Sequence, residues 1–90
     1  MCLGIPGEVT GIIDADAGLA TVEISGVRRA ISTKLLEPEG VDVGDWVLVH
    51  VGFALSKIDA DEAAATLDQI KRLGQPYIDE MDAFKQTVVV

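Results

Sequence analysis

The chain reads as a mainly β domain, a small antiparallel barrel or sandwich, followed by one or two C-terminal α-helices. Three observations predict this. Short runs rich in β-branched residues, separated by Gly and Asp turn residues, fill the first half. At Asp59 the apolar period changes from two to that of a helix. The length of 90 residues accommodates one core and no second one. Residues 1–58 are expected to form the barrel and residues 59–90 a helical segment packed on it or extending from it, within a single domain.

Each element follows from its residues. Gly7 to Ile13 has strand composition, and Asp14-Ala15-Asp16-Ala17-Gly18 is a loop. Leu19 to Ile24 alternates Ala20, Val22 and Ile24 against Thr21 and Glu23, the signature of a half-buried strand. Ser25-Gly26 is a two-residue hairpin signal, and Val27 to Ser32 is the returning strand. Glu37-Pro38-Glu39-Gly40 is an acidic loop. Trp46 to Val51 places Trp46, Leu48 and His50 on one face and Val47, Val49 and Val51 on the other, which predicts a strand buried on both sides. Gly52 interrupts it at a bulge or bend, and Phe53 to Ile58 continues extended.

Asp59 is a good helix N-cap, with Glu62 three residues later as in a capping box. Leu67, Ile70 and Leu73 then form an apolar stripe, Lys71 and Arg72 suit the negative end of the helix dipole, and Gly74 with Pro76 stops the helix. Tyr77 to Lys85 has the pattern of a second, shorter helix using Ile78, Met81 and Ala83 or Phe84. Val88 to Val90 is an apolar tail with no assigned place.

Aromatic residues make up only 4% of the chain, so Ala, Val, Ile and Leu must build the interior. A net charge of −8 argues against nucleic acid, which needs a clustered cationic surface, and against anionic membranes. No apolar run approaches the ~20 residues of a membrane span, and the first residues lack a signal-peptide pattern. A single cysteine cannot form an intramolecular disulfide, and a free thiol is most at home in the reducing cytoplasm.

Few residues can carry chemistry. There is no phosphate-binding glycine loop, and Asp59, Asp61 and Glu62 read as carboxylates at a helix N-terminus rather than as a metal cluster. Cys2 is either an incidental residue or the working group. If Met1 is removed, its amine and thiol lie together, the ammonium favours thiolate, and the pair can chelate a metal, with Gly4 and Pro6-Gly7 fixing the path of the segment. His50, the sole histidine, is either a satisfied core imidazole or a functional group near that segment. One Cys and one His do not complete a tetrahedral site, so further ligands must come from elsewhere.

The opening Met-Cys-Leu-Gly-Ile-Pro-Gly-Glu-Val resembles the N-terminal signature of the HypC/HupF family of NiFe-hydrogenase maturation chaperones. Val22 to Arg29 resembles the family's strand–Gly–strand segment, Gly44 to Ala54 its Trp-Val-x-Val-His-x-Gly-Phe-Ala block, and Asp61-Glu62-Ala63 with Thr66-Leu67 the start of its C-terminal helix. The likeness spans roughly residues 1 to 74.

The resemblance implies an OB-like barrel with a C-terminal helix. It also implies partnership with the iron–sulfur scaffold protein HypD, transient holding of an iron atom carrying cyanide and carbon monoxide ligands, and delivery of that group to the precursor of the hydrogenase large subunit. The family's functional cysteine falls on Cys2, as iron ligand or docking thiol, and its motif histidine on His50; Pro6, Gly7, Gly52 and Phe53 fall on supporting or partner-binding positions. Some relatives carry a second cysteine where this chain has Ser25, so a two-cysteine redox mechanism is closed to it. Soft thiolate suits low-valent iron with π-acceptor ligands.

The expectation is therefore a chaperone without turnover of its own. A thiol-based redox or transferase protein using Cys2 and His50 is the enzyme alternative, and a purely structural adaptor the third.

Overall fold

Alternation along the second strand defines the inside of the sheet: Ala20, Val22 and Ile24 are buried, while Thr21 and Glu23 between them are partly exposed. The same rule puts Ile5, Gly7 and Val9 of the first strand, and Val47 and Val49 of the fourth, on that interior face. In the computed structural model the described residues are 4–86. They form β1 (Ile5–Asp14), β2 (Leu19–Ile24), β3 (Val27–Ser32), a single 3-10 turn (Lys34–Leu36), β4 (Trp46–His50), β5 (Phe53–Ile58), α1 (Ala60–Leu73) and α2 (Gln75–Lys85).

The strands close in the order β1-β2-β3-β5-β4 and back to β1, an OB-like five-stranded barrel. All pairings are antiparallel except the seam, where β3 meets β5 in parallel through Ser32 and Phe53, and the Ser32 N–H donates to the Gly52 carbonyl at 2.9 Å. The barrel is thus antiparallel as expected, apart from this one parallel bridge. β1 is the pivotal strand, paired with both β2 and β4, and its register shifts after Val9 and after Ile12 let it bend between them.

The Ser25-Gly26 hairpin stands as expected, with positive φ at both turn residues. A second such turn was marked in the sequence only by Gly52, which reads there as a bulge or bend. Val51 and Gly52 have φ of 47° and 83°, so Gly52 is half of a tight hairpin, and Phe53–Ile58 returns beside β4 instead of continuing it. β4 is accordingly not buried on both sides. Val47 and Val49 are fully inside, Trp46, Leu48 and His50 are half-buried on the outer face, and Val51 is exposed in the turn.

Asp59 caps α1, its Oδ1 accepting from the Glu62 N–H at 2.7 Å. The buried residues of α1 are Ala63 and Ile70, with Leu67 partly buried on the same stripe; Leu73 falls outside it, 68% exposed. Gly74 ends α1, but Pro76 opens α2 at its first turn, where a missing N–H costs nothing. Along α2, Met81 and Phe84 are buried and Tyr77 packs against them, whereas Ile78 points outward. Met81 and Phe84 join one continuous hydrophobic cluster with Ile5, Val9, Val22, Ile31, Val47 and Val49. Arg29 Nε of β3 also donates to the Lys85 carbonyl at the end of α2. The helical segment therefore packs on the barrel. Val88 to Val90 lie outside the described residues.

Candidate functional site

Three backbone features converge at one end of the barrel. Ile5 pairs with Val49 and Pro6 with Leu48, so the start of β1 lies beside the end of β4 that carries His50. His50 in turn pairs with Phe53 across the Val51–Gly52 turn. Directly opposed residues in antiparallel strands share a face, so the imidazole and the phenyl ring stand side by side on the outer surface. Phe53 is 47% exposed.

The approach of β1 depends on residue type. Gly4 has φ +127°, and a Cβ there would lie 2.6 Å from the Val49 carbonyl oxygen. Glycine alone tolerates both conditions. Gly7 faces the interior, where a Cβ would run into Val22 Cγ1 and lie 2.8 Å from Ile24 Cγ1. Pro6 is fully buried on the opposite face. Val9 exchanges hydrogen bonds with Asp45 and Gly44 on the β4 side, so strand alternation aims the Pro6 nitrogen the other way, past the final β1–β2 pair Glu8–Glu23. A proline is tolerated there because no ladder bond is lost. Pro6, Gly7 and buried Gly52 thus act on the shape of the barrel end, while half-buried His50 and exposed Phe53 are the members of the group that reach solvent. Cys2 lies outside the described residues.

His50 is not a core histidine. Its side chain is 43% exposed, and Nδ1 lies 3.1 and 3.3 Å from the two carboxylate oxygens of Glu80 on α2. Glu80 is itself buried, at 8% exposure. Sequence reasoning missed this residue. A signal existed: Glu80 sits three residues after Tyr77 and four before Phe84, on the inner face of α2, and a carboxylate on an apolar face requires a partner. Ser25, where some relatives have cysteine, sits in the β2–β3 turn with its Oγ 2.9 Å from the Tyr77 hydroxyl. Asp59, Asp61 and Glu62 open α1, and among the described residues no cluster of three or more His, Cys, Asp or Glu side chains is arranged to hold a metal ion.

Residues 1–70 match the family model described as the HupF/HypC family. The chain belongs to the HupF/HypC family. It is 44% identical over 77 residues to the hydrogenase maturation factor HypC of Rhodobacter capsulatus, covering 83% of this chain and 80% of that one. It is 47% identical over 75 residues to the hydrogenase maturation factor HybG of Escherichia coli K12, covering 81% and 92%. A protein of Proteus vulgaris known as Frd operon uncharacterized protein C is 40% identical over 87 residues, covering 93% and 88%. The HupF/HypC match ends at residue 70, so Glu80 belongs to a part of this chain that the family model does not describe.

Proposed function

We propose that this protein is a hydrogenase maturation chaperone that, with a HypD-like iron–sulfur scaffold, carries the iron–cyanide–carbonyl group and delivers it to the precursor of the NiFe-hydrogenase large subunit. Membership in a family whose relatives are hydrogenase maturation factors makes it an accessory protein and not an enzyme, which sets the thiol-transferase alternative aside. Cys2 ligates or docks the iron group, the cargo of the chaperone. His50 and Phe53 stand at the barrel end where β1 begins. We infer a cytoplasmic place of work from the single free thiol, which a reducing compartment preserves. Among the described residues no helix is long and apolar enough to cross a membrane.

The observation that carries this reading is the pairing of Ile5 with Val49. It ties the root of the Cys2 segment to the His50 end of β4. A single residue, Leu3, separates Cys2 from Gly4, so their Cα atoms are at most about 7 Å apart. A thiolate on a short tether, with the His50 imidazole offered at the barrel end where β1 begins, is a pair of groups that can hold a soft metal centre and also release it, as a carrier must.

The test is anaerobic isolation of the protein from cells making the maturation machinery, with infrared spectra in the cyanide and carbonyl stretching region. The wild-type protein is expected to show bands that disappear in Cys2→Ala. A wild-type protein that co-purifies with its scaffold yet shows no such bands would refute the carrier role.

A further inference from the structure

We propose that Glu80 is a positioning residue for His50: its carboxylate holds the imidazole in the Nδ1–H form, leaving Nε2 as the ring's acceptor at the end of the barrel where β1 begins. The tautomer follows from geometry. Its consequence for maturation rests on the function proposed above.

Both oxygens of Glu80 face Nδ1, at 3.1 and 3.3 Å. A carboxylate has lone pairs and no proton to give, so the proton of this contact belongs to Nδ1. A neutral imidazole carries one N–H, and placing it on Nδ1 obliges Nε2 to be the acceptor. Free histidine favours the opposite form, so the protein must impose this one. Glu80 is held firmly enough to do so. Its side chain is only 10% exposed, and the helix that carries it is anchored by buried Met81 and Phe84 and by the Arg29–Lys85 hydrogen bond. A buried, packed carboxylate that receives one ring N–H and leaves the other nitrogen basic is the arrangement that orients histidines toward metals and toward incoming donors.

The pair also joins distant parts of the chain. Glu80 lies beyond the residues that the family model matches, so α2 here contributes an orienting group to a motif residue of β4. In Glu80→Met the Nε2–H form becomes available, and in that form Nε2 donates and cannot accept.

The experiment uses the full chain labelled with nitrogen-15. His50 is the only histidine, so its ring nitrogens need no further assignment. Long-range proton–nitrogen correlation spectra are recorded across a pH titration and read where the ring is neutral. In the wild-type protein Nδ1 is expected at the protonated nitrogen shift and Nε2 at the unprotonated one. Glu80→Met, shown to unfold cooperatively, is expected to shift the ring toward Nε2–H and to lower maturation about tenfold or more, the usual effect of losing an outer-shell partner. A wild-type ring in the Nε2–H form overturns the inference even if Glu80→Met fails to fold. So does a tautomer unchanged in a folded Glu80→Met. A tautomer that shifts, with maturation normal in both Glu80→Met and His50→Ala, upholds the positioning assignment and refutes the role given to His50 in maturation.

Discussion

Gly4 and the carbonyl of Val49 touch so closely that a single added carbon on Gly4 would stand 2.6 Å from the oxygen. This contact sets where β1 enters the barrel, and so where the segment before it begins. Gly4→Ala must relieve both the clash and a φ of +127°, at a cost of about 1–3 kcal/mol. A fall in thermal midpoint of several degrees is expected, since about 1 kcal/mol shifts a domain of this size by ~4–8 °C. Maturation should fall with it, because the strand start moves away from the His50 end of β4. An unchanged midpoint with full maturation would show that the entry path is not constrained.

Gly7 tests the interior. Its missing Cβ is replaced by Val22 and Ile24, both buried. Gly7→Ala overpacks the barrel and is expected to destabilise by about 1–3 kcal/mol in urea titrations. Because Gly7 faces inward, the surface around His50 and Phe53 should be preserved in the fraction that remains folded.

Cys2→Ala is expected to leave the barrel folded, by circular dichroism and thermal unfolding, while hydrogenase activity in a complemented strain drops to that of a strain lacking the gene. Normal activity in this variant is the result that ends the ligand hypothesis.

His50→Ala should keep the fold, because the imidazole is 43% exposed and packs on the outer face of β4. It leaves Glu80 buried with no imidazole, so a moderate loss of stability, about 1–3 kcal/mol, is expected from the orphaned acceptor. The double variant His50→Ala/Glu80→Met should recover part of that loss without recovering maturation. A thermodynamic cycle on the two positions measures the coupling directly.

Asp59→Ala removes the cap of α1, whose Oδ1 accepts from the Glu62 N–H at 2.7 Å. A loss of about 1 kcal/mol is expected by denaturant titration. Maturation should change little, since α1 starts from the far end of β5.

Much of the fold was legible because its signals are local. The alternation of Leu19 to Ile24, the Ser25-Gly26 turn and the return from Val27 to Ser32 are each encoded within a few residues, and the structure has the same bounds. The cap at Asp59 and the stop at Gly74 are likewise short-range. The β4–β5 hairpin was hidden because its turn begins with Val51, a β-branched residue at φ 47°, inside an otherwise apolar run. Gly52 alone marks the run, and a lone glycine does not distinguish a bulge from a reversal; the pairing of His50 with Phe53 and the seam at Ser32 hold Val51 in a backbone conformation it would not adopt alone.

The candidate site divides the same way. The sequence by itself determined which residues have the chemistry: one thiol at Cys2, one imidazole at His50, and the glycines and proline that shape the path between strands. Only the tertiary structure decided which of them meet. Gly4 reaches Val49 because the barrel closes β1 against β4, and His50 finds Glu80 thirty residues away because α2 packs its apolar stripe on the same wall. Local propensity acts over a turn or a strand, whereas barrel closure and helix docking depend on the whole buried surface at once. The partner of a buried carboxylate is a property of that surface and not of the residues beside it.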